Sequence, residues 1–257
     1  MLKTERREAL VALCNKSGAV TVKMAAQTLG VSTVTIRRDF EELDAEGRLE
    51  RVHGGARRLS SDEDRGVETP YSRMRESGVL VAEKSEIACR AAGLVKTQDT
   101  IFLGASTTVE LMVPFLPKSG IRVITNSFHI FSSLEQERDT DWELSLLGGI
   151  YRRGSGAFVG PMAEKILVDI GIDKAFIGAN GIVGNSVYTS SIDEGKLQQI
   201  ALQQSDHRFI VSDSTKLGHR GFFYSFYTLD QCEALITDSN ISRNYLDSAK
   251  RFTEVLM

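Results

Sequence analysis

A short run of small and hydroxyl-bearing residues follows an apolar segment near the middle of the chain, and its composition suits the binding of an anion. The run is Gly104-Ala105-Ser106-Thr107-Thr108, and it comes directly after the apolar segment 100–103. Small side chains let backbone N–H groups approach a phosphate, and hydroxyl groups add further donors at the positive end of a helix. Serine and threonine also cap helices when no ligand is bound, so this run alone leaves both interpretations open.

Polar residues follow four further apolar segments in the same way. These four runs are Thr125-Asn126-Ser127, Gly148-Gly149 with Tyr151 and Arg152 just beyond it, Gly178-Ala179-Asn180-Gly181, and Asp213-Ser214-Thr215-Lys216. One polar loop is common, but five on one edge of a sheet indicate a site. We expect an anionic, polyhydroxylated ligand whose phosphate lies on the loop 106–108. The hydroxyl groups of that ligand would meet Asn126, Asn180, Glu194 and Asp213.

The polar runs can share a site only if the apolar segments form one sheet. Seven short apolar segments read as strands, and helical stretches lie between most of them. The segments are 100–103, 122–125, 143–147, 174–178, 209–212, 234–237 and 254–256. This alternation predicts an open α/β sheet, mainly parallel, with helices on its faces. In such sheets ligands bind beyond the carboxyl ends of the strands.

The first sixty residues have a different pattern, that of three short helices. The predicted helices are 3–15, 22–29 and 33–46, with Gly30 closing the second helix and Ser32 as the N-cap of the third. A short helix, a glycine turn and a newly capped helix are typical of a helix-turn-helix motif.

The third helix has a core face and an outward face. Ile36, Phe40 and Leu43 recur at helical spacing and must face the core, so Val34 and Arg38 point away from it. Thr33, Thr35 and Arg37 flank this outward face. Arginine can read guanine edges, and this favours a recognition helix. A solvated face with neutral ion pairs to Glu41 and Glu42 is the alternative.

A basic hairpin is predicted after the third helix. Residues 48–53 alternate as a strand does, Gly54-Gly55 supplies a turn, and residues 56–59 return. The hairpin contains Arg51, His53, Arg57 and Arg58, which suit contact with the DNA backbone. A helix-turn-helix pattern followed by such a wing indicates a DNA-binding domain more strongly than either pattern does alone.

Bulk properties set limits on these interpretations. The 257 residues carry a net charge of −3, but residues 1–58 hold 11 Lys and Arg against 8 Asp and Glu. A basic N-terminal module on an acidic body is compatible with DNA contact. Three scattered cysteines and four scattered histidines offer no disulfide framework or metal-ligand spacing. We expect a cytoplasmic protein with no metal, no cofactor and no membrane segment.

A family resemblance is carried by two stretches of the N-terminal part and by segments of the rest. Residues 30–43, GVSTVTIRRDFEEL, and 46–56, EGRLERVHGGA, are similar to the DNA-binding signature of the DeoR family, with Phe40 in place of the more usual Leu. The resemblance continues through the segments VITNS at 123–127, LGG at 147–149, VGP at 159–161 and DSTK at 213–216. It thus spans nearly the whole chain.

The resemblance implies a winged helix-turn-helix domain at 1–58, a linker at 59–74 and an effector domain at 75–257. In the family that larger domain is similar to sugar-phosphate isomerases and deaminases and binds a phosphorylated sugar intermediate. This chain has Asn180 where the family usually has Asp, and Gln199 near a position where Lys is common. Asn180 cannot act as a general base.

The leading hypothesis is a repressor of carbohydrate genes that binds operator DNA and is controlled by a phosphorylated sugar. Base contacts are expected from Thr33, Thr35, Arg37 and Arg38. Twofold DNA sites favour a homodimer or a homotetramer. An isomerase or deaminase with a DNA-binding appendage, using Glu194 and Asp213 as acid and base, is the alternative. A transcription activator is a third possibility, because the sequence does not fix the sign of regulation.

Overall fold

A computed structural model describes residues 3–17, 19–46, 48–52, 55–58, 80–218 and 224–257. The described residues up to 58 fall in one compact unit, and those from 80 onwards fall in a second. The predicted linker at 59–74 and the start of the predicted effector domain at 75 lie outside the described residues.

The first unit contains the three predicted helices and the predicted wing. Its elements in chain order are α1 (Lys3–Ser17), β1 (Ala19–Thr21), α2 (Val22–Leu29), α3 (Thr33–Ala45), β2 (Leu49–Val52) and β3 (Gly55–Arg58). Gly30 ends α2 in the left-handed conformation, with φ of 66°. Ser32 Oγ accepts the N–H of Thr35 at 3.2 Å and so caps α3. Both predicted helix boundaries are confirmed.

The wing contains one strand more than predicted. β3 pairs antiparallel with β2 and also with β1, which lies between α1 and α2. β1 is too short, at three residues, to have shown a strand pattern in the sequence. Its addition joins the wing to the helices of the same unit.

The small core of this unit is built as the helical spacing predicts. Ile36, Phe40 and Leu43 are buried against Leu10 and Leu49. Beside this core, the guanidinium of Arg6 donates to both carboxylate oxygens of Asp39, at 2.5 and 3.1 Å, and Asp39 is 2% exposed. This ion pair ties α1 to α3.

The second unit is a sheet with helices and added hairpins. In chain order its elements are α4 (Val81–Ala92), β4 (Thr100–Leu103), α5 (Thr107–Glu110), β5 (Arg122–Thr125), α6 (Phe128–Gln136), β6 (Glu143–Leu146), β7 (Ile150–Arg152), β8 (Ala157–Val159), α7 (Pro161–Leu167), β9 (Ile172–Gly178), β10 (Gly181–Val183), β11 (Ser186–Thr189), α8 (Ile192–Gln203), β12 (Ser205–Val211), β13 (Tyr224–Thr228), β14 (Ala234–Ile236), α9 (Arg243–Ala249) and β15 (Glu254–Leu256). Short 3₁₀ turns lie at Val113–Phe115, Ser214–Lys216 and Leu229–Gln231.

The seven predicted strands form one seven-stranded sheet in the described chain, in the order β15-β14-β12-β9-β4-β5-β6. Every neighbouring pair in it is parallel. β12 begins four residues earlier than predicted, because its polar first half pairs with β9, with His207 opposite Lys174. The predicted open, parallel α/β fold is therefore confirmed.

Two smaller sheets were not predicted. β7 and β8 form an antiparallel hairpin, and β10, β11 and β13 form a three-stranded antiparallel sheet. Two apolar clusters pack within this unit. Among the described residues no helix is long and apolar enough to cross a membrane.

Candidate functional site

The strand order changes direction at the pair β4 and β9, and this point positions the candidate site. From β4 the chain adds β5 and β6 on one side, and after β9 it adds β12, β14 and β15 on the other. A crevice opens outside the carboxyl ends of the strands at such a switch point. The loops after β4, β5, β9 and β12 all reach this edge, as the polar runs predicted.

The loop after β4 packs tightly against the end of β9. Gly104 N–H continues the ladder by donating to Phe176 O at 3.0 Å. A side chain at Gly178 would collide with Ser106 Oγ and Cβ, so the glycine allows the two loops to lie together. Ser106 Oγ accepts the N–H of Thr108 at 3.2 Å and caps α5. Within the described chain, the backbone N–H groups of Ser106 and Thr107 have no protein partner.

Two lysines lie at this loop. Lys84, on α4, is only 7% exposed, and its Nζ donates to Thr107 Oγ1 at 3.0 Å. Burial lowers the pKa of Lys84; the nearby carboxylate of Asp213 opposes that shift, and the charge of Lys216 adds to it. Two neighbouring cations beside free backbone N–H groups can hold a phosphate dianion.

The carboxylate of Asp213 is used to shape the loop that carries Lys216. Asp213 is 3% exposed, and its Oδ1 accepts the backbone N–H of Thr215 at 3.2 Å and also the Thr215 hydroxyl. This cap begins the 3₁₀ turn that contains Lys216. Asp213 therefore positions one lysine while its charge acts on the other.

Asn126 lies behind the loop after β4. Its Oδ1 accepts the N–H of Ala105 at 3.2 Å, and its Nδ2 donates to Phe158 O at 3.1 Å. Both ends of the carboxamide are thus engaged by backbone, and the residue does not line the cavity. Asn126 therefore ties the loop after β4 to the β7–β8 hairpin.

Glu194, near the start of α8, is engaged by the same hairpin. Its Oε1 accepts from Arg152 Nε at 3.0 Å and from Ser155 Oγ at 2.7 Å. Glu194 is 8% exposed, whereas the side chain of Arg152 is 42% exposed, so the ion pair joins a buried carboxylate to an exposed guanidinium. The hairpin is therefore fixed to α8 across the carboxyl edge of the sheet.

A cavity of about 590 Å³ lies among these elements, and we call it the switch-point cavity. Predicted effector residues that line it are Ala105, Ser106, Thr107, Thr108, Ser127, Arg152, Asn180, Glu194, Asp213 and Lys216. Predicted residues that do not line it are Gly104, Asn126, Gly148, Gly149, Tyr151 and Gly181. Tyr151 lies on an exposed part of the hairpin, where its ring contacts Phe158 and Phe128.

Several lining residues were not predicted, and most of them lie away from the strand ends. They are Lys84, Glu110, His129, Gly154, Ser155, Gly178, Ala179, Ser190, Gln198 and Ser212. Gly178 and Ala179 belong to the polar run 178–181, but the sequence did not indicate them as ligand contacts. The one sequence signal for Lys84 is its place on α4 in a stripe that is otherwise apolar and includes Ile87, Ala88 and Ala91. That signal does not identify a site, because a lysine in such a stripe usually extends to solvent.

The outward face of α3 is free of the core as predicted. The side chain of Arg38 is 80% exposed, and the one ion pair that it forms with a described residue is a long one, 3.6 Å to Glu42. Val34 is 71% exposed, and Thr33 and Arg37 are exposed. Thr35 is partly engaged, because its hydroxyl shares a 2.9 Å hydrogen bond with Ser32 Oγ. The exposed part of α3 therefore presents arginine and threonine side chains.

Of the four wing residues predicted to contact DNA, the structure describes the side chain of Arg51. Arg51 Nη1 donates to Glu41 Oε1 at 2.7 Å, and its backbone N–H donates to Asp44. DNA contact by Arg51 would have to break this exposed ion pair. Arg57 and Arg58 lie on β3, but their side chains and the whole of His53 lie outside the described part of the chain.

A winged helix-turn-helix unit followed by an α/β unit with a polar cavity defines a DNA-binding regulator with a C-terminal sensor domain. The family comparisons agree with this class. Residues 6–62 match the DeoR-like helix-turn-helix domain, and residues 80–239 match the DeoR C terminal sensor domain. The chain belongs to the DeoR family.

Three curated relatives match along the full length of the chain. Each is called lactose phosphotransferase system repressor. The protein of Lactococcus lactis subsp. lactis is 39% identical over 259 residues, covering 100% of this chain and 99% of its own. Those of Streptococcus mutans and Staphylococcus aureus strain N315 are 38% and 33% identical, with both chains fully covered.

Solved structures show a weaker similarity. Ribose 5-phosphate isomerase A of Methanocaldococcus jannaschii shares 18% identity with a TM-score of 0.37, covering 52% of this chain and 53% of the isomerase. A similarity of this size carries no argument about activity.

Proposed function

We propose that this chain represses a sugar-utilisation operon and releases or tightens its hold on operator DNA when a phosphorylated sugar enters the switch-point cavity. The observation that carries the proposal is that Lys84 and Lys216 line one cavity with Ser106 and Thr107, whose backbone N–H groups donate no hydrogen bond to any described residue. The full-length relatives are named lactose phosphotransferase system repressors, which supports a sugar-linked repressor.

The rest of the cavity suits the hydroxyl-bearing part of such a ligand. Asn180 lies at the end of β9, where its Oδ1 accepts the hydroxyl of Thr189 at 3.2 Å. Ser127, Ser190 and Ser212 add hydroxyl groups to the lining. Neutral donors and acceptors of this kind bind sugar hydroxyls, and the lysines supply the charge that a phosphate needs.

The same contacts support a regulatory site that does not convert its ligand. Glu194 is held by Arg152 and Ser155, Asp213 is held by Thr215, and position 180 is an amide with no carboxylate. An isomerase needs a base within reach of a substrate carbon. We infer that the cavity binds its ligand without converting it, and that two or four copies of the chain together present paired recognition helices to DNA.

The test measures thermal unfolding of the full chain against a panel of phosphorylated sugars and their unphosphorylated forms. A ligand at 100 times its Kd adds about 2.7 kcal/mol of stability. We expect one or more phosphorylated sugars to raise the melting midpoint, with no effect from the unphosphorylated forms. The same ligand should change operator affinity roughly 5- to 150-fold. Stabilisation by every sugar regardless of phosphate, or by none, would contradict the proposal.

A further inference from the structure

The side chain of Gln198 lines the switch-point cavity, and its buried oxygen has no hydrogen-bond partner among the described residues. Gln198 lies on α8, is 5% exposed and lines the cavity. Its Oε1 is buried and accepts no hydrogen bond from any residue that the structure describes. Glu194, one turn earlier on the same helix, by contrast accepts hydrogen bonds at Oε1 from Arg152 and Ser155. The two polar side chains on this face of α8 are therefore in opposite situations.

An unmade hydrogen bond of this kind limits what the site can accept. A buried acceptor without a donor loses its hydration and gains nothing in return. A phosphate oxygen at neutral pH is itself an acceptor and cannot satisfy Oε1, whereas a hydroxyl group can donate to it. A hydroxyl can also accept from Nε2 of the same carboxamide. The group that fits Gln198 is thus a sugar hydroxyl, while the phosphate fits the lysines on other elements.

We propose that Gln198 binds one hydroxyl group of the effector directly and is the residue by which the cavity distinguishes one phosphorylated sugar from another. This inference rests on the proposed function, and it adds the part of the ligand that is recognised. A site built to bond a particular hydroxyl rejects the analogue that lacks it much more strongly than an apolar pocket does.

The experiment compares the full chain with Gln198→Met, which keeps the side-chain length and removes both polar groups. Gln203→Met is the matched control, because Gln203 is an exposed residue on the same helix and does not line the cavity. The probes are inorganic phosphate, a set of aldose and ketose hexose 6-phosphates, and single-deoxy analogues of the tightest binder. Binding is measured by calorimetry, and the stability of each unliganded protein is measured by thermal unfolding.

We expect Gln198→Met to weaken the tightest hexose 6-phosphate about tenfold while the affinity for inorganic phosphate stays within about twofold. Discrimination against one deoxy analogue should disappear in the same variant. The unliganded variant should be as stable as the parent or more so, because the substitution removes an unpaired buried acceptor. The control should resemble the parent in every measurement.

A second variant separates hydroxyl recognition from packing. Gln198→Glu keeps an acceptor in the same place, so it should retain discrimination against the deoxy analogue while its charge weakens every phosphorylated ligand. Equal loss of inorganic phosphate and sugar phosphate in Gln198→Met, or unchanged discrimination, would overturn the role of Gln198 and leave the proposed function standing. A parent protein that binds inorganic phosphate but no member of the panel would overturn both.

Discussion

Lys84 Nζ lies 3.0 Å from Thr107 Oγ1, so a buried cation from one helix reaches the first residue of another at the switch-point cavity. The chain keeps this ammonium group in the interior although burial lowers its pKa. A hydrogen bond to a hydroxyl compensates only in part for the hydration that the cation loses. In the unliganded protein, the ammonium group of Lys84 is therefore a buried cation that an anionic ligand would stabilise.

Replacing Lys84 by methionine should separate stability from ligand binding. Because burial dominates the lowering of its pKa, removal of the cation should raise the melting midpoint of the unliganded protein at pH 7. The same change should weaken a phosphorylated ligand by about 1.5–3 kcal/mol, the value of a hydrogen bond to a charged group. Lys96→Met, an exposed lysine beyond α4, is the control and should leave both quantities unchanged.

The pH dependence of this effect has a definite sign. Since the pKa of Lys84 is lower in the folded protein than the usual 10.5, the unfolded chain binds more protons between the two values. The contribution of Lys84 to the free energy of unfolding therefore increases as pH rises through that window. Lys84→Met should remove this part of the alkaline pH dependence, and an unchanged profile would contradict the burial of a charged Lys84.

Arg38→Ala tests the recognition helix. The guanidinium is 80% exposed with one weak intrahelical partner, so its removal should cost the fold little. Specific operator binding should weaken by about 1–3 kcal/mol if the side chain reads a base edge. Arg122→Ala, which removes an exposed arginine paired with Glu143 in the sensor unit, is the control in the same gel-shift titration. Indistinguishable binding by Arg38→Ala and the parent would refute the assignment.

Arg58→Ala tests the wing in a different way. A residue that contacts only phosphate should weaken binding to specific and random DNA alike, and the slope of log K against log salt should fall by about 1. Titrations at four salt concentrations would give this slope. A loss confined to the specific sequence would instead place Arg58 at a base edge.

Asp39→Ala tests the pair that joins α1 to α3. Asp39 is 2% exposed and bonded twice by Arg6, so its removal leaves a largely buried cation without its partner. The expected loss is about 3–5 kcal/mol in the unfolding of the DNA-binding unit. Glu41→Ala, which breaks the exposed pair with Arg51, should cost no more than about 1 kcal/mol. Similar losses for the two variants would show that burial of Asp39 contributes nothing.

The five inner strands of the sheet could be predicted because each contains an apolar run that is buried in the sheet, as Ile101, Phe102 and Leu103 show for β4. The edge strands β6 and β15 contain no buried residue, and only their short apolar runs indicated them. The β7–β8 hairpin could not be predicted, because Ile150, Tyr151 and Arg152 are all exposed and carry no burial pattern. That hairpin is defined by long-range contacts, including the bond from Arg152 to Glu194, and local sequence does not contain them.

The residues of the candidate site also fall into two groups, those that the sequence could predict and those that it could not. Loops at strand ends could be predicted because parallel strands bring all their carboxyl ends to one edge. Lys84 and Gln198 lie inside helices, where a lysine or glutamine among apolar residues usually reaches solvent. Only the packing of α4 and α8 against the edge of the sheet turns these two side chains inward. Local sequence patterns therefore predicted cavity residues in the loops at strand ends. The cavity residues Lys84 and Gln198, on helices α4 and α8, depend on tertiary packing and were not predicted.

The close contact of two loops at Gly178 also bears on the order in which the parts of this chain are completed during synthesis. The loops after β4 and β9 meet there, yet about seventy residues separate these strands in the chain. No part of the cavity exists until β4 and β9 have paired, and during synthesis the N-terminal helices emerge long before β9 does. The residues of the DNA-reading helices are thus all synthesised before the last residues that line the cavity, such as Asp213 and Lys216.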